Sequence, residues 1–311
     1  MGHMMKNPSS RLGAVLEALL VTFLWSTSFV LIKIGLHDIP ALTFAGLRYT
    51  LAFLLLLPFL FRRARSTELQ NLSADKWIRL ILLGLLYYPV TMGTQFLGLA
   101  YLPAVNVSML LNFTPLIVAL LGIRLLAERP TLLQWGGVWL FLIGTVAYFY
   151  PVSLLGGEAF GLTVVFVGVF ANAGSSLLGR QINRPGDIDP LTVTAVSMGV
   201  GAVVLLAMGI LTEGLPVLSL VNWAIIGWLA LVNTAFAFTL WNRTLRVLSA
   251  TESSIINGVM LVQIAVLAWV FLGEPLTRQE ILGMAIAGLG ILLVQLRPPE
   301  TPPVLRRSPQ P

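Results

Sequence analysis

Side chains able to bind a small polar solute recur inside stretches of this chain that are otherwise apolar. Trp25 and Ser28, Tyr88 with Thr91 and Gln95, Ser108 with Asn112, Asn172 with Ser175 and Ser176, Asn233 with Trp241, and Ser253 with Asn257 fall on helical faces near the middle of their runs. Their amides and hydroxyls can donate to a carboxylate or accept from an ammonium, and the rings can offer a face to a cation. Arg48 is the one basic side chain firmly inside such a run. It could meet a carboxylate through two parallel bonds, or be held by structural pairing or snorkelling. For a lone Asn, Ser or Thr the alternative is an interhelical hydrogen bond that fixes packing. What favours a shared site is that groups from both halves of the chain reach the same depth, which packing alone does not require.

Other positions carry weaker chemistry. Glu17, near the start of the first run, is a candidate proton carrier or a wetted interfacial carboxylate. Pro89 and the Thr114-Pro115 pair remove backbone donors at mid-depth, which either bends the helix or frees carbonyls that could coordinate an ammonium.

Several reaction classes lack their parts. There is no cysteine, so no disulfide framework and no thiolate metal site. Met1 to Met4 read as a cloning remnant, which leaves His37 as the one native histidine, without an HExxH pattern and without a partner for metal or nucleophilic chemistry. Asp38, Asp75, Asp187 and Asp189 all fall between the apolar runs, so no midplane aspartate pair can form and an intramembrane enzyme is disfavoured. No Gly-Lys dipeptide occurs, which rules out a phosphate-cradling loop in this chain. No cofactor, no metal, no nucleic acid and no ATPase partner is expected. A channel would show rings of charge or a carbonyl-filter motif, and neither is present.

The elements that must hold these groups are transmembrane helices. The chain of 311 residues is 57% hydrophobic and 10% charged, with mean hydropathy +0.89, far below the roughly 25% charge of soluble domains. Runs of about 20 apolar residues, enough to cross a hydrocarbon layer of roughly 30 Å, predict spans at 12–35, 41–62, 77–99, 104–124, 131–150, 159–180, 190–212, 222–243, 250–272 and 277–296. No alternating strand pattern suggests a β-barrel. The fold class expected is therefore all-α, with ten transmembrane helices. The first run lacks an evident cleavage site and is expected to stay in place, and the Pro-rich tail 297–311 is expected to be disordered and cytoplasmic.

Charge orients the bundle. With residues 1–11 inside, sixteen of the 19 Lys and Arg residues fall in cytoplasmic segments, the run Arg62 to Arg65 among them, and only Lys33 and Arg278 lie outside. The positive-inside rule then puts both termini in the cytoplasm.

The chain also repeats itself. At an offset of 146, Leu102 aligns with Leu248, Ala104 with Ala250, Ser108 with Ser254, Ala119 with Ala265, Leu121 with Leu267, Leu126 with Leu272, Glu128 with Glu274, Thr131 with Thr277, Gly137 with Gly283 and Gly144 with Gly290, without a gap. Each half, 12–150 and 159–296, holds five spans. Five is odd, so the halves are expected to enter the membrane in opposite senses as inverted repeats around a central cavity, an arrangement that allows alternating access. Spans five and ten carry mainly Gly and apolar residues and are expected at the periphery.

With Trp25-Ser26-Thr27-Ser28-Phe29 in span one, Arg48 in span two and helix-Glu-helix turns at Glu128 and Glu274, the two halves resemble tandem EamA domains of the drug/metabolite transporter superfamily, and within it the YddG-type amino-acid exporters. That resemblance covers all ten spans. It implies a secondary transporter of the bacterial cytoplasmic (inner) membrane that exports amino acids or similar small metabolites, with multidrug export as the sibling alternative. The partners expected are the lipid bilayer and the small solute, and the oligomeric state stays open.

Overall fold

The computed structural model describes residues 8–60, 68–125, 131–150, 157–183, 188–244, 247–248 and 256–295, and among these every regular element is helical. Met1 to Met4, the Arg62 to Arg65 run, the turn around Glu128, Ala250, Ser253, Ser254 and the tail from Arg297 lie outside the described residues. Helix α1 spans Pro8–Gly35, α2 Ala41–Leu60, α3 Ala74–Tyr101, α4 Ala104–Leu111, α5 Phe113–Leu125, α6 Leu132–Phe149, α7 Gly157–Asn183, α8 Pro190–Glu213, α9 Leu220–Thr244, α10 Met260–Leu272 and α11 Arg278–Gln295. Six of these, α1 from Leu12, α2, α3, α6, α7 and α8, are long and apolar enough to cross a membrane, and Ala104–Val118, Leu220–Phe236 and Ile256–Leu272 are shorter apolar helices. Large apolar side chains such as Trp139, Ile143, Phe170 and Trp269 point outward, as suits a surface solvated by lipid, where only a helix can satisfy its own backbone.

Helix starts follow the local sequence. Thr131 and Gln134 close a capping box on α6, with Thr131 N–H donating to Gln134 Oε1 at 2.8 Å. Thr277 and Glu280 make the same reciprocal contact at the start of α11, at 2.6 and 3.2 Å, which is the 146-residue repeat expressed in backbone capping. Asp189 caps α8 ahead of Pro190, whose missing N–H costs nothing in the first turn.

Span four departs from the single helix expected. It breaks at Asn112 into α4 and α5, because Pro115 cannot donate to the carbonyl of Leu111 and its ring crowds that group. Asn112 donates its side-chain amide to the Ser108 carbonyl at 2.8 Å, which also accepts its backbone N–H at 3.3 Å, so the last turn of α4 is doubly held.

Two helix pairs are drawn together by glycine. On α6 and α11, a Cβ at Gly137 would stand 2.7 Å from the Gly290 carbonyl oxygen and one at Gly144 2.7 Å from that of Gly283. The reverse distances are 2.6 Å from Gly290 to the Gly137 oxygen and 2.8 Å from Gly283 to that of Gly144. Only glycine permits such backbone contact. Because the first glycine of one helix meets the second of the other, the two helices run antiparallel and each contact has its mate at an offset of 146. Helices α2 and α8 also run antiparallel, with Gly46 on Leu206, Gly209 on Thr43 and Gly199 on the Phe53 ring.

Carboxylates stitch the helix ends across the halves. Glu213, closing α8, accepts the Leu42 and Thr43 N–H groups at 2.8 and 3.0 Å, at the start of α2. Glu68, following α2, accepts Asp189 N–H and the Thr192 hydroxyl, both at 2.6 Å, at the start of α8. Each thus places negative charge where unpaired N–H groups and the helix dipole favour it. Elsewhere Glu274 accepts Ala104 N–H at 2.9 Å, while Lys33 Nζ donates to the Leu99 and Leu102 carbonyls at 2.8 and 2.6 Å, so both sides of the α3–α4 turn are held. Burial pushes the Glu274 carboxyl above its usual range, against the opposing pull of the Ala104 N–H and the Lys33 ammonium.

Candidate functional site

The site begins with a backbone irregularity. Helix α3 widens into a π-helical segment at Leu86–Met92, and α9 does so at Leu231–Phe236. Each lies in the third apolar run of its half, and their threonines stand three residues out of the 146-residue register. A π turn leaves carbonyls without their usual partners, and both segments answer with a threonine: Thr91 donates to the Leu86 carbonyl at 3.0 Å and Thr234 to that of Leu229 at 2.8 Å, each five residues back. Pro89 lies within the first π segment, so the irregularity expected there is a widened turn. The second has no proline, and its sequence gave no such signal.

The α9 segment turns Asn233 and Thr234 toward α1 and α2. Asn233 is fully buried, and its amide nitrogen donates to Thr27 Oγ1 and Ser28 Oγ, each at 3.0 Å, and to the Leu24 carbonyl. Thr234 accepts from Arg48 Nε at 3.2 Å. Arg48 is 5% exposed, the one charged side chain buried among the described residues, and lies over the rings of Tyr49 at 5.1 Å and Phe96 at 6.0 Å. Tyr49 meets Tyr88 edge-on at 5.2 Å and Tyr88 meets Tyr87 at 5.0 Å. Ser26 donates to Gln263 Oε1 of α10 at 3.0 Å. A buried polar seam therefore joins α1 and α2 of the first half to α9 and α10 of the second. Trp25 continues it with ring contacts to Trp241 at 5.2 Å and Phe238 at 5.4 Å.

Of the residues singled out from sequence, this seam collects Trp25, Ser28, Arg48, Tyr88, Asn233 and Trp241. A second group lies within the first half and α7: Asn172 donates to Thr114 Oγ1 at 3.3 Å, and the Ser175 hydroxyl turns back to the Asn172 carbonyl at 2.9 Å. Ser108 is buried on α4 beneath Asn112, and Gln95 is half-buried on α3. Asn257 and Ser176 are exposed, and Glu17 is half-buried along α1. Thr234 and Gln263 were missed by sequence reasoning. Thr234 had a readable signal in the Asn233-Thr234 pair, whereas Gln263 becomes significant only when α10 is laid on α1. A groove of about 590 Å³ outside α6, lined by Trp139, Ile143, Val146 and Tyr150, is apolar and remote from the seam.

Apolar helices of spanning length around a buried polar seam define a multi-pass membrane transporter. The chain belongs to the EamA-like transporter family, which matches residues 12–150 and 159–296. It is 28% identical to the uncharacterized transporter YoaV of Bacillus subtilis over 88% of this chain and 93% of that one. It is likewise 28% identical to the uncharacterized inner membrane transporter YedA of Escherichia coli, covering 88% and 87%. A transporter of S-adenosylmethionine and S-adenosylhomocysteine from Chlamydia muridarum is 24% identical over 90% of this chain and 91% of its own. The crystal structure of one further protein superposes with a TM-score of 0.66 at 17% identity, covering 91% of this chain and 98% of its own, which bears on the fold alone.

Proposed function

We propose that this protein is a secondary transporter that exports amino acids or similar small metabolites across the bacterial cytoplasmic membrane, by alternating access between two inverted five-helix repeats. Ten crossings with both termini in the cytoplasm follow from the span pattern and the inside placement of Lys and Arg. The inverted arrangement draws support from the antiparallel, reciprocal glycine contacts of α6 and α11 and from the mutual glutamate caps of Glu68 and Glu213. Halves related in this way can rock about a shared site.

The observation that carries the reading is the buried seam of Ser28, Arg48, Asn233 and Thr234, which spans both halves and is rich in hydrogen-bonding groups. Polar groups at that depth are costly in lipid and mark solute paths. Trp25, Tyr88, Gln95 and Trp241 extend the solute contact surface, and Ser108, Asn112, Asn172, Ser175 and Asn257 belong to the path as the halves part. Glu17 is the proposed proton carrier. The chemistry of the Chlamydia relative's cargo fits the same reading, since S-adenosylmethionine itself bears an α-amino acid group.

The test is flux in liposomes containing the purified protein. Saturable movement of one or more of the twenty amino acids or of S-adenosylmethionine is expected. Absence of flux across that panel overturns the reading, and movement of hydrophobic cationic drugs in its place would establish multidrug export.

A further inference from the structure

Two groups of the seam lack a matching partner. Arg48 is a buried cation whose partners are one hydroxyl and two ring faces, with no described carboxylate paired to it. Such a charge is poorly compensated, because neither a neutral hydroxyl nor a ring face supplies the planar pair of anionic oxygens that a guanidinium fork fits. Asn233 presents the opposite case. Its amide nitrogen faces the Leu24 carbonyl, which can only accept, so the orientation of the amide is fixed and its Oδ1 is left buried without a donor. Arg48 of α2 bonds Thr234, and the preceding Asn233 bonds Leu24, Thr27 and Ser28 of α1, so both groups lie where α1, α2 and α9 meet.

We infer that the solute itself answers both groups: a zwitterion whose carboxylate pairs with the Arg48 guanidinium and whose ammonium donates to Asn233 Oδ1. This rests on the transport reading above and adds the polarity of the site, with the anionic end toward α2 and the cationic end toward α9. Asn233 is fully buried and Arg48 nearly so in this arrangement, so the solute reaches both when the halves part. The chemical class follows from the pair. A carboxylic acid without an amine answers only Arg48, an amine without an acid answers only Asn233, and a molecule with both answers the two together.

Binding is measured by thermal shift and by isotherms on purified full-length protein in detergent, with the twenty L-amino acids and S-adenosylmethionine as probes. The best binder is then compared with its own methyl ester and its own N-acetyl derivative. Each derivative is expected to bind the unmodified protein at least tenfold more weakly, which needs no substitution and so no assumption about folding. Arg48→Gln should weaken the amino acid at least tenfold and change the methyl ester less than twofold, because the ester carries no charge for Arg48 to meet, while Arg48→Lys should restore part of the loss. Equal binding of the amino acid and both derivatives, or an Arg48→Gln protein that binds the amino acid within twofold of the original, overturns the inference while leaving amino-acid transport standing. Binding of none of the probes overturns both.

Discussion

Both halves carry a π segment in their third run, in α3 and in α9, and each is tied by a threonine hydroxyl to a carbonyl five residues back. Their side chains diverge. Around Leu86–Met92 the neighbours are Tyr49, Tyr87 and Tyr88, whose rings pack edge to face, whereas Leu231–Phe236 presents Asn233 and Thr234 to Ser28 and Arg48. Both halves thus carry the same backbone device while the side chains around it differ. A symmetric scaffold supplies two equivalent bundles, and a lopsided interior gives an asymmetric solute one preferred pose.

The scaffold side of that comparison breaks most visibly at the α6–α11 crossing. Gly144→Leu and Gly290→Leu should each destabilise by about 3 kcal/mol or more through overpacking against backbone, and by similar amounts, because their surroundings mirror each other. Thermal unfolding in detergent reads this. Gly136→Ala and Gly227→Ala, where an added methyl meets nothing within 4 Å, should cost no stability and add up to about 1 kcal/mol through helix propensity. Unequal losses at Gly144 and Gly290 would argue against equivalent halves.

The interior side breaks at the threonines. Thr234→Val should lower transport about tenfold by removing the hydroxyl that orients Arg48, a transition-state or binding loss near 1.4 kcal/mol. Thr91→Val should cost only about 1 kcal/mol of stability and little transport, since its hydroxyl serves the backbone of its own helix. Equal transport losses would mean the two π segments do the same work.

Smaller effects come from the caps. Glu68→Gln and Glu213→Gln should each lower stability by about 1 kcal/mol, equally, by weakening the carboxylate bonds at the starts of α8 and α2. Smallest is a pH slope at Glu274. Its native value lies above the usual 4.5, so between that value and the raised one the folded protein holds more protons than the unfolded chain. Stability attributable to this group therefore falls as pH rises through that window and is constant below it. Glu274→Gln should flatten the dependence, measured as the melting temperature from pH 4 to 8, and a slope unchanged by the substitution would assign it to another group.

Much of this architecture was legible before any coordinates. Spans one and two appear as α1 and α2 nearly where the apolar runs put them, because burial of apolar length in lipid is a local property that a window of residues carries. Gly137, Gly144, Gly283 and Gly290 were readable as packing positions from their spacing and repeat. Asn257 reads the same as Asn233 in sequence, a lone amide in an apolar helix, yet one is exposed and the other wholly buried. The break at Asn112 lay within reach of the Thr114-Pro115 signal, but a proline announces a disturbance without saying whether the helix bends, widens or stops.

By itself, then, the sequence determined that the chain is helical, that it belongs in a bilayer, and that it is built twice over, since composition, run length and offset matching need no knowledge of neighbours. Tertiary structure decided which polar groups meet: that Asn233 donates to α1 and keeps an oxygen unmatched, that Arg48 is buried against Thr234, and that Glu68 and Glu213 cap the starts of α8 and α2. Hydrogen bonds across such distances in the chain, 205 residues from Ser28 to Asn233, depend on angle and on tenths of an ångström, and only the packed helices fix those.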